Sequence, residues 1–356
     1  MKTFSAAAAV CAALFTGLSI MPAQSQETIR MTAASGLPEA SSGTAQFANF
    51  FIPEVNRRLA ETGKYKIQWT TGWGGSIAGQ FDLFEAIQDG IADIGYVNTL
   101  FEGAKLPLEQ ITYVTPFGSS DLEKVIKTFN KLRTRVPELD ATFLKYNQRR
   151  LAVVGLADYS ILTTFDMKSV DDIKGKKIAA PGLAGNWLDG TGATPVSGSL
   201  SEYYNSLKTG VYDGIVVFDS GIGPFKFYEV APHITRVGFG SMLASNLTIN
   251  EDKWKSLPKD VQKVLTDVAA QYEGLVYKTT IDLTAKSLKT ASDHGATVTE
   301  FSNADRKAYA AKLPNIAKQW AAALDSKGVK ATAFLDAYMN LARQEGITFA
   351  RDWDKE

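Results

Sequence analysis

Few residues in this chain can do covalent or acid–base chemistry. It carries two histidines and one cysteine. His233 lies in Ala231-Pro232-His233-Ile234 and His294 sits beside Gly295, and both read as structural or solvated side chains rather than general bases. A Ser-His-Asp triad would have to recruit one of them, and no serine occupies a Gly-x-Ser-x-Gly elbow. With so little Cys and His, an intrachain disulfide and a Cys/His zinc site are excluded. Gly74-Gly75-Ser76-Ile77-Ala78-Gly79 lacks the Lys-Ser/Thr of a phosphate loop and the spacing of a dinucleotide fingerprint, so it reads as a turn at the mouth of a cleft. Asp171-Asp172 and the terminal Arg351, Asp352 and Asp354 read as solvated, and no carboxylate pair stands out as a glycosidase signature. Such an inventory suits a protein that binds rather than one that catalyses, and no cofactor is called for.

The scaffold must then supply a place to bind. A length of 356 residues fits two domains with real cores. A composition 45% hydrophobic and 21% charged excludes long disorder, collagen and a coiled coil. Lys+Arg and Asp+Glu are both 38, so no global field draws nucleic acid or an anionic membrane. Lys2, the apolar run Ala6–Met21 and the small-x-small site Ala23-Gln24-Ser25 predict a Sec signal peptide over residues 1–25. The run is short for a membrane span, and Cys11 lies inside it. The expected product is exported to the periplasm.

Hydrophobic periodicity predicts strands at Thr28–Ala34, Tyr65–Thr70 and Ile91–Val97. Between them fall helices at Ser41–Glu61, with Phe47, Phe51, Val55 and Leu59 on one face, and around Phe81, Phe84 and Ile87. Strand, helix, strand is the grammar of a parallel sheet with crossover helices. It returns in strands at Leu151–Leu156, Lys177–Ala180 and Gly214–Phe218, with a helix at Tyr203–Lys208. Ile87-x-x-Gly90-x-x-Asp93 and Leu207-x-x-Gly210-x-x-Asp213 share one spacing and point to two similar α/β lobes. Beyond Pro258 a helix of about 30 residues is predicted, long enough to span both lobes, and Asn303–Asp325 and Lys330–Gln344 read as two further amphipathic helices.

Several segments, in order, carry a resemblance. They are Ala86-Ile87-Gln88-Asp89-Gly90-Ile91-Ala92-Asp93-Ile94, Asp171-Asp172-Ile173-Lys174-Gly175-Lys176-Lys177-Ile178, Gly192-Ala193-Thr194-Pro195-Val196, Leu207-Lys208-Thr209-Gly210-Val211-Tyr212-Asp213-Gly214, Phe227-Tyr228-Glu229-Val230-Ala231-Pro232-His233-Ile234-Thr235 and Leu257-Pro258-Lys259-Asp260-Val261-Gln262-Lys263-Val264. The ordered set resembles the substrate-binding subunits of TRAP transporters, the DctP type. The resemblance implies a two-lobed periplasmic binding protein-like α/β fold with crossing hinge strands and a long hinge helix. Lobe I is expected over 26–156 plus 245–285, and lobe II over 157–244 plus 286–356. It also implies a monomer that closes on one small molecule and delivers it to a membrane permease of two unequal subunits.

One departure bears on the ligand. Where the family reads Lys-Leu-Arg-Val-Pro, this chain reads Lys177-Ile178-Ala179-Ala180-Pro181, and no arginine occurs from Leu151 to Thr235. The fork that grips a carboxylate is absent. The cleft-facing candidates are Trp73, Asn98, Tyr159, Ala179, Asn186, Trp187, Phe218 and Asp219. Aromatic faces with single donors and a helix start near Gly182 and Gly185 favour a mostly apolar, aromatic monocarboxylate. The rivals are a cation held by Asp219 or Asp189 within an aromatic cage, a neutral solute, and a periplasmic enzyme on the same scaffold. A receptor serving another permease class or a sensor is the remaining alternative.

Overall fold

The structure, a computed structural model, describes residues 26–355; the expected signal peptide lies outside them. Ten strands are described: β1 Glu27–Ser35, β2 Tyr65–Gly72, β3 Ile94–Val97, β4 Gln148–Thr163, β5 Lys177–Ala180, β6 Thr194–Ser197, β7 Gly214–Phe218, β8 His233–Arg236, β9 Ser241–Asn250 and β10 Thr297–Glu300. They run in the order β2-β1-β3-β9-β4-β7-β5-β6, with β8 and β10 branching from β4. The outer groups, β2-β1-β3 and β7-β5-β6, are parallel, as the alternation of strand and helix predicts. The centre is not. β9 runs antiparallel to β3 and to β4, and β4 antiparallel to β7, so the sheet is mixed.

β4 is far longer than the apolar run Leu151–Leu156 predicts, because it crosses from one half to the other. Its register against β9 shifts at three places, the last between Leu156 and Asp158. Such irregularities leave amides without ladder partners. The Asp158 carboxylate accepts from two of them, the N–H groups of Tyr159 and Gly240 at 2.8 and 2.7 Å. A polar residue that looks like a strand breaker therefore lets the strand continue.

The helix predicted at Ser41–Glu61 runs from Ser42 to Thr62 and holds a π-helical stretch at Phe47–Phe51 just ahead of Pro53. Proline has no N–H and crowds the carbonyl four residues back, which the wider turn relieves. The predicted single helix Asn303–Asp325 is two, Asn303–Lys312 and Ile316–Asp325, broken at Pro314 for the same reason.

The repeated spacing is one construction built twice. Ile87 and Leu207 are buried helix residues. Gly90 and Gly210 end their helices in the left-handed region at φ 76° and 73°. Asp93 exchanges backbone and side-chain bonds with Thr32 of β1, its carboxylate accepting the Thr32 N–H at 2.7 Å. Asp213 does the same with Lys177 of β5, also at 2.7 Å. Each joint fixes the height at which the following strand enters the sheet.

The helix Lys259–Asp293 has 35 residues, a rod of about 50 Å. Val261, Leu265, Val268 and Tyr272 pack in the apolar core beneath β1, β3 and β9. Further along, the Ser42 and Thr280 hydroxyls pair at 2.9 Å, and Ser287 donates to the Ser220 carbonyl beyond β7. The rod is thus fastened to both halves of the sheet.

Candidate functional site

Within each parallel group the strands place their C-terminal ends at one edge, where loops and helix starts gather, and the two groups run in opposite directions across β9 and β4. Here β1, β3, β5 and β7 all deliver residues to one enclosed cavity. Ser41 and Ser42 come from the turn after β1, and Tyr96, Asn98 and Phe101 from the end of β3 and beyond. Leu156 and Tyr159 come from β4, and Pro181 follows β5. Tyr203 stands in the first turn of the helix Leu200–Lys208, while Phe218 ends β7 and Ser220 lies in the turn that follows it. Leu283 of the long helix closes one side. The void is about 40 Å³, far below the several hundred Å³ of an organic-ligand pocket. A larger trough of about 550 Å³ is lined by the helices Glu138–Lys145 and Ala331–Gln344 and includes Lys105, Glu138, Lys145 and Lys330.

The cavity lining contains no charged side chain. The arginines that bracket the Arg-free stretch are spoken for. Arg150 forks onto Glu109 at 2.8 and 2.9 Å, and Arg236 bonds to Asp219 and Glu300. What the lining offers instead is phenol, amide and hydroxyl groups on an apolar wall. The Tyr113 and Tyr159 hydroxyls pair at 2.8 Å, and Asn98 donates its amide to Ser245 at 3.0 Å. Burial pushes the Tyr159 and Tyr203 phenols well above their ordinary range and Tyr96 up to about 12, partly offset there by a bond to Ser245. These phenols stay protonated, so each keeps a proton to donate.

Of the residues named from the sequence, Asn98, Tyr159 and Phe218 line the cavity together. The Tyr159 and Phe218 rings meet edge to face at 5.8 Å. The others stand elsewhere. Trp187 is fully buried, stacked on Tyr113 and Phe239, with its indole N–H donating to the Tyr113 carbonyl at 2.7 Å. Trp73 packs edge to face on Phe47 in the core of the first half. Asn186 lies in the short 3-10 helix Gly182–Leu188, outside the lining. Asp219 is fully buried, bonded to Ser160 at 2.5 Å and to Arg236 at 3.1 Å. Its carboxyl is pushed up to about 7, first by burial and then by the neighbouring Asp158, against the pull of Ser160 and Arg236.

Ala179 is buried against Tyr203. A Cβ at Gly198 would lie 2.6 Å from the Tyr203 ring and 3.2 Å from the Ala179 Cβ, so all three meet at one point. Tyr203 was missed by the sequence reasoning, as were Tyr96, Ser41 and Gln80. For Tyr203 a signal existed. The Ser199-x-x-Glu202 capping box starts the helix at Leu200 and puts Tyr203 in its first turn, at the cleft end.

Two α/β halves sharing crossed central strands and bridged by one long helix around an uncharged cavity have the architecture of a solute-binding protein. The chain belongs to the bacterial extracellular solute-binding proteins of family 7, DctP, whose family model matches residues 38–323. It is 27% identical over 225 residues to the C4-dicarboxylate-binding protein DctB of Bacillus subtilis, covering 62% of this chain and 61% of that protein. It is 27% identical over 175 residues to a solute-binding protein of Sulfitobacter sp., covering 48% and 52%. The chain thus spans about half to three-fifths of the curated relatives' length. A TRAP periplasmic solute-binding protein from Desulfovibrio salexigens, solved as an open complex, superposes with a TM-score of 0.75 at 25% identity, covering 89% of this chain and 96% of that one. Among the described residues no helix is long and apolar enough to cross a membrane.

Proposed function

We propose that this chain is the solute receptor of a TRAP transporter, and that it captures a small, mostly apolar and aromatic monocarboxylate for delivery to a permease of two unequal membrane subunits. One observation carries the reading: the cavity lining holds tyrosine, asparagine and serine donors on an aromatic wall, and no charge. Neutral donors can hold one carboxylate. A second carboxylate would be buried without compensation, so the dicarboxylate named for DctB fits this cavity poorly, while an acid group remains within the family's range. A cation finds no free carboxylate, because Asp219 is committed to Arg236 and Asp189 is not in the lining. The same lack of charge favours an uncharged solute as the second reading. In this account lobe I comprises 26–156 plus 245–285 and lobe II 157–244 plus 286–356. They close about β4, β9 and the long helix, with Asn98, Tyr159 and Phe218 as contacts.

The test is thermal unfolding with three probes of one shape: phenylacetate, phenylacetamide and phenethylamine. Ligand at about 100 times its dissociation constant stabilises by about 2.7 kcal/mol. Phenylacetate is expected to raise the midpoint most and phenethylamine not at all. A response to the amine alone, or to none of the three, overturns the reading.

A further inference from the structure

Three tyrosines, Tyr96, Tyr159 and Tyr203, line the cavity. One is paired, Tyr159 with Tyr113, and Tyr96 has the Ser245 side chain beside it. The Tyr203 hydroxyl is shut off from solvent and has no hydrogen-bond partner among the described residues. Native structures rarely bury a hydroxyl unpaired, since it forfeits its bonds to water and gains nothing in return. The ring cannot turn to find one. It is wedged at Gly198 and Ala179, and it meets the Tyr212 and Phe227 rings edge to face at 6.3 and 6.0 Å. The capping box of Ser199 and Glu202 fixes the helix that carries it.

We propose that the Tyr203 hydroxyl is a specificity-determining donor that recognises a carboxylate or carbonyl oxygen on the bound solute. The inference deepens the proposed function and rests on it. Ala179 belongs to the same device. As a methyl group it leaves room for the ring of Tyr203, so a rigid neutral donor stands where a long cationic side chain would not fit. A rigid donor costs little entropy on binding. A site that hydrogen-bonds an oxygen also rejects analogues lacking one, because the donor is then left buried and unpaired.

The test is Tyr203→Phe, which keeps the ring and removes only the hydroxyl. By calorimetric titration, phenylacetate is expected to bind the variant about tenfold more weakly than wild type, while the ligand-free variant melts at the same temperature or higher. Equal affinity in the two proteins overturns the inference, as it would if the hydroxyl met only water. If wild type ignores phenylacetate, the proposed function falls, and the melting temperature still judges the hydroxyl. A ligand-free variant several degrees less stable would mean a partner within the protein and overturn the inference; an equal or more stable one supports it.

Discussion

Replacing Ala179 by arginine puts the packing argument at risk. Ala179 is fully buried in β5, paired with Val196 of β6 on one side and Ile215 of β7 on the other. Its Cβ and the Tyr203 ring already crowd the point where a Gly198 Cβ would stand. Arginine adds six heavy atoms there. Overpacking a tight core costs about 1–3 kcal/mol, and a guanidinium taken from water without a partner costs several more. Its flexibility lets part of the side chain escape toward the cavity, so we expect a net loss of about 3–5 kcal/mol. For a domain of this size that is on the order of 10 °C in melting temperature. The assay is thermal unfolding of the ligand-free proteins followed by circular dichroism. The double variant Ala179→Arg with Tyr203→Ala vacates the ring's volume and is expected to recover at least half of the loss. An Ala179→Arg protein as stable as wild type would refute the claim that Tyr203 fills this space, as would a double variant weaker than the single.

Two further outcomes follow from the fold. Gly90 and Gly210 both sit at positive φ, and an added Cβ meets nothing within 4 Å at either. Gly90→Ala and Gly210→Ala are therefore expected to lose about 1 kcal/mol each, equal within error in urea titrations; widely unequal losses would argue that the two joints are not one construction. Asp219 has its carboxyl raised from 3.8 to about 7. Between those values the folded protein holds a proton that the unfolded chain has released, so stability falls as pH rises from about 4 to 7. Melting curves across that range should show this slope in wild type and a shallower one in Asp219→Asn; identical slopes would mean that Asp219 is not its source.

The outer parts of the fold were legible because their periodicity is local. β1, β2 and β7 and the helix beginning at Lys259 each carry an unbroken apolar pattern. The crossing strand β4 was cut short because Ala157-Asp158 ends the apolar run, and the use of Asp158 as an acceptor for displaced amides depends on Gly240, far along the chain. Orientation across the sheet was illegible for the same reason: nothing local tells a parallel partner from an antiparallel one. In the cavity lining, Asn98 and Phe218 were reachable from their places at strand ends, and Tyr159 because it follows the apolar run Leu151–Leu156. Trp187 and Asp219 have equally suitable side chains, but the Tyr113 carbonyl and Arg236 that claim them are distant in sequence. Tyr203 was passed over because a tyrosine on an amphipathic helix looks like core; it is core, except for one oxygen.

The central claim is that this cleft grips its solute without a charged anchor. A crystal structure of the protein with the solute it retains through purification tests that claim most directly. We expect density between Tyr159, Tyr203 and Phe218, its oxygen within hydrogen-bond reach of the Tyr203 hydroxyl. No guanidinium, ammonium or carboxylate of the protein should lie within bonding distance of the solute. An arginine or lysine drawn onto the solute, or a solute seated outside this cleft, would contradict it.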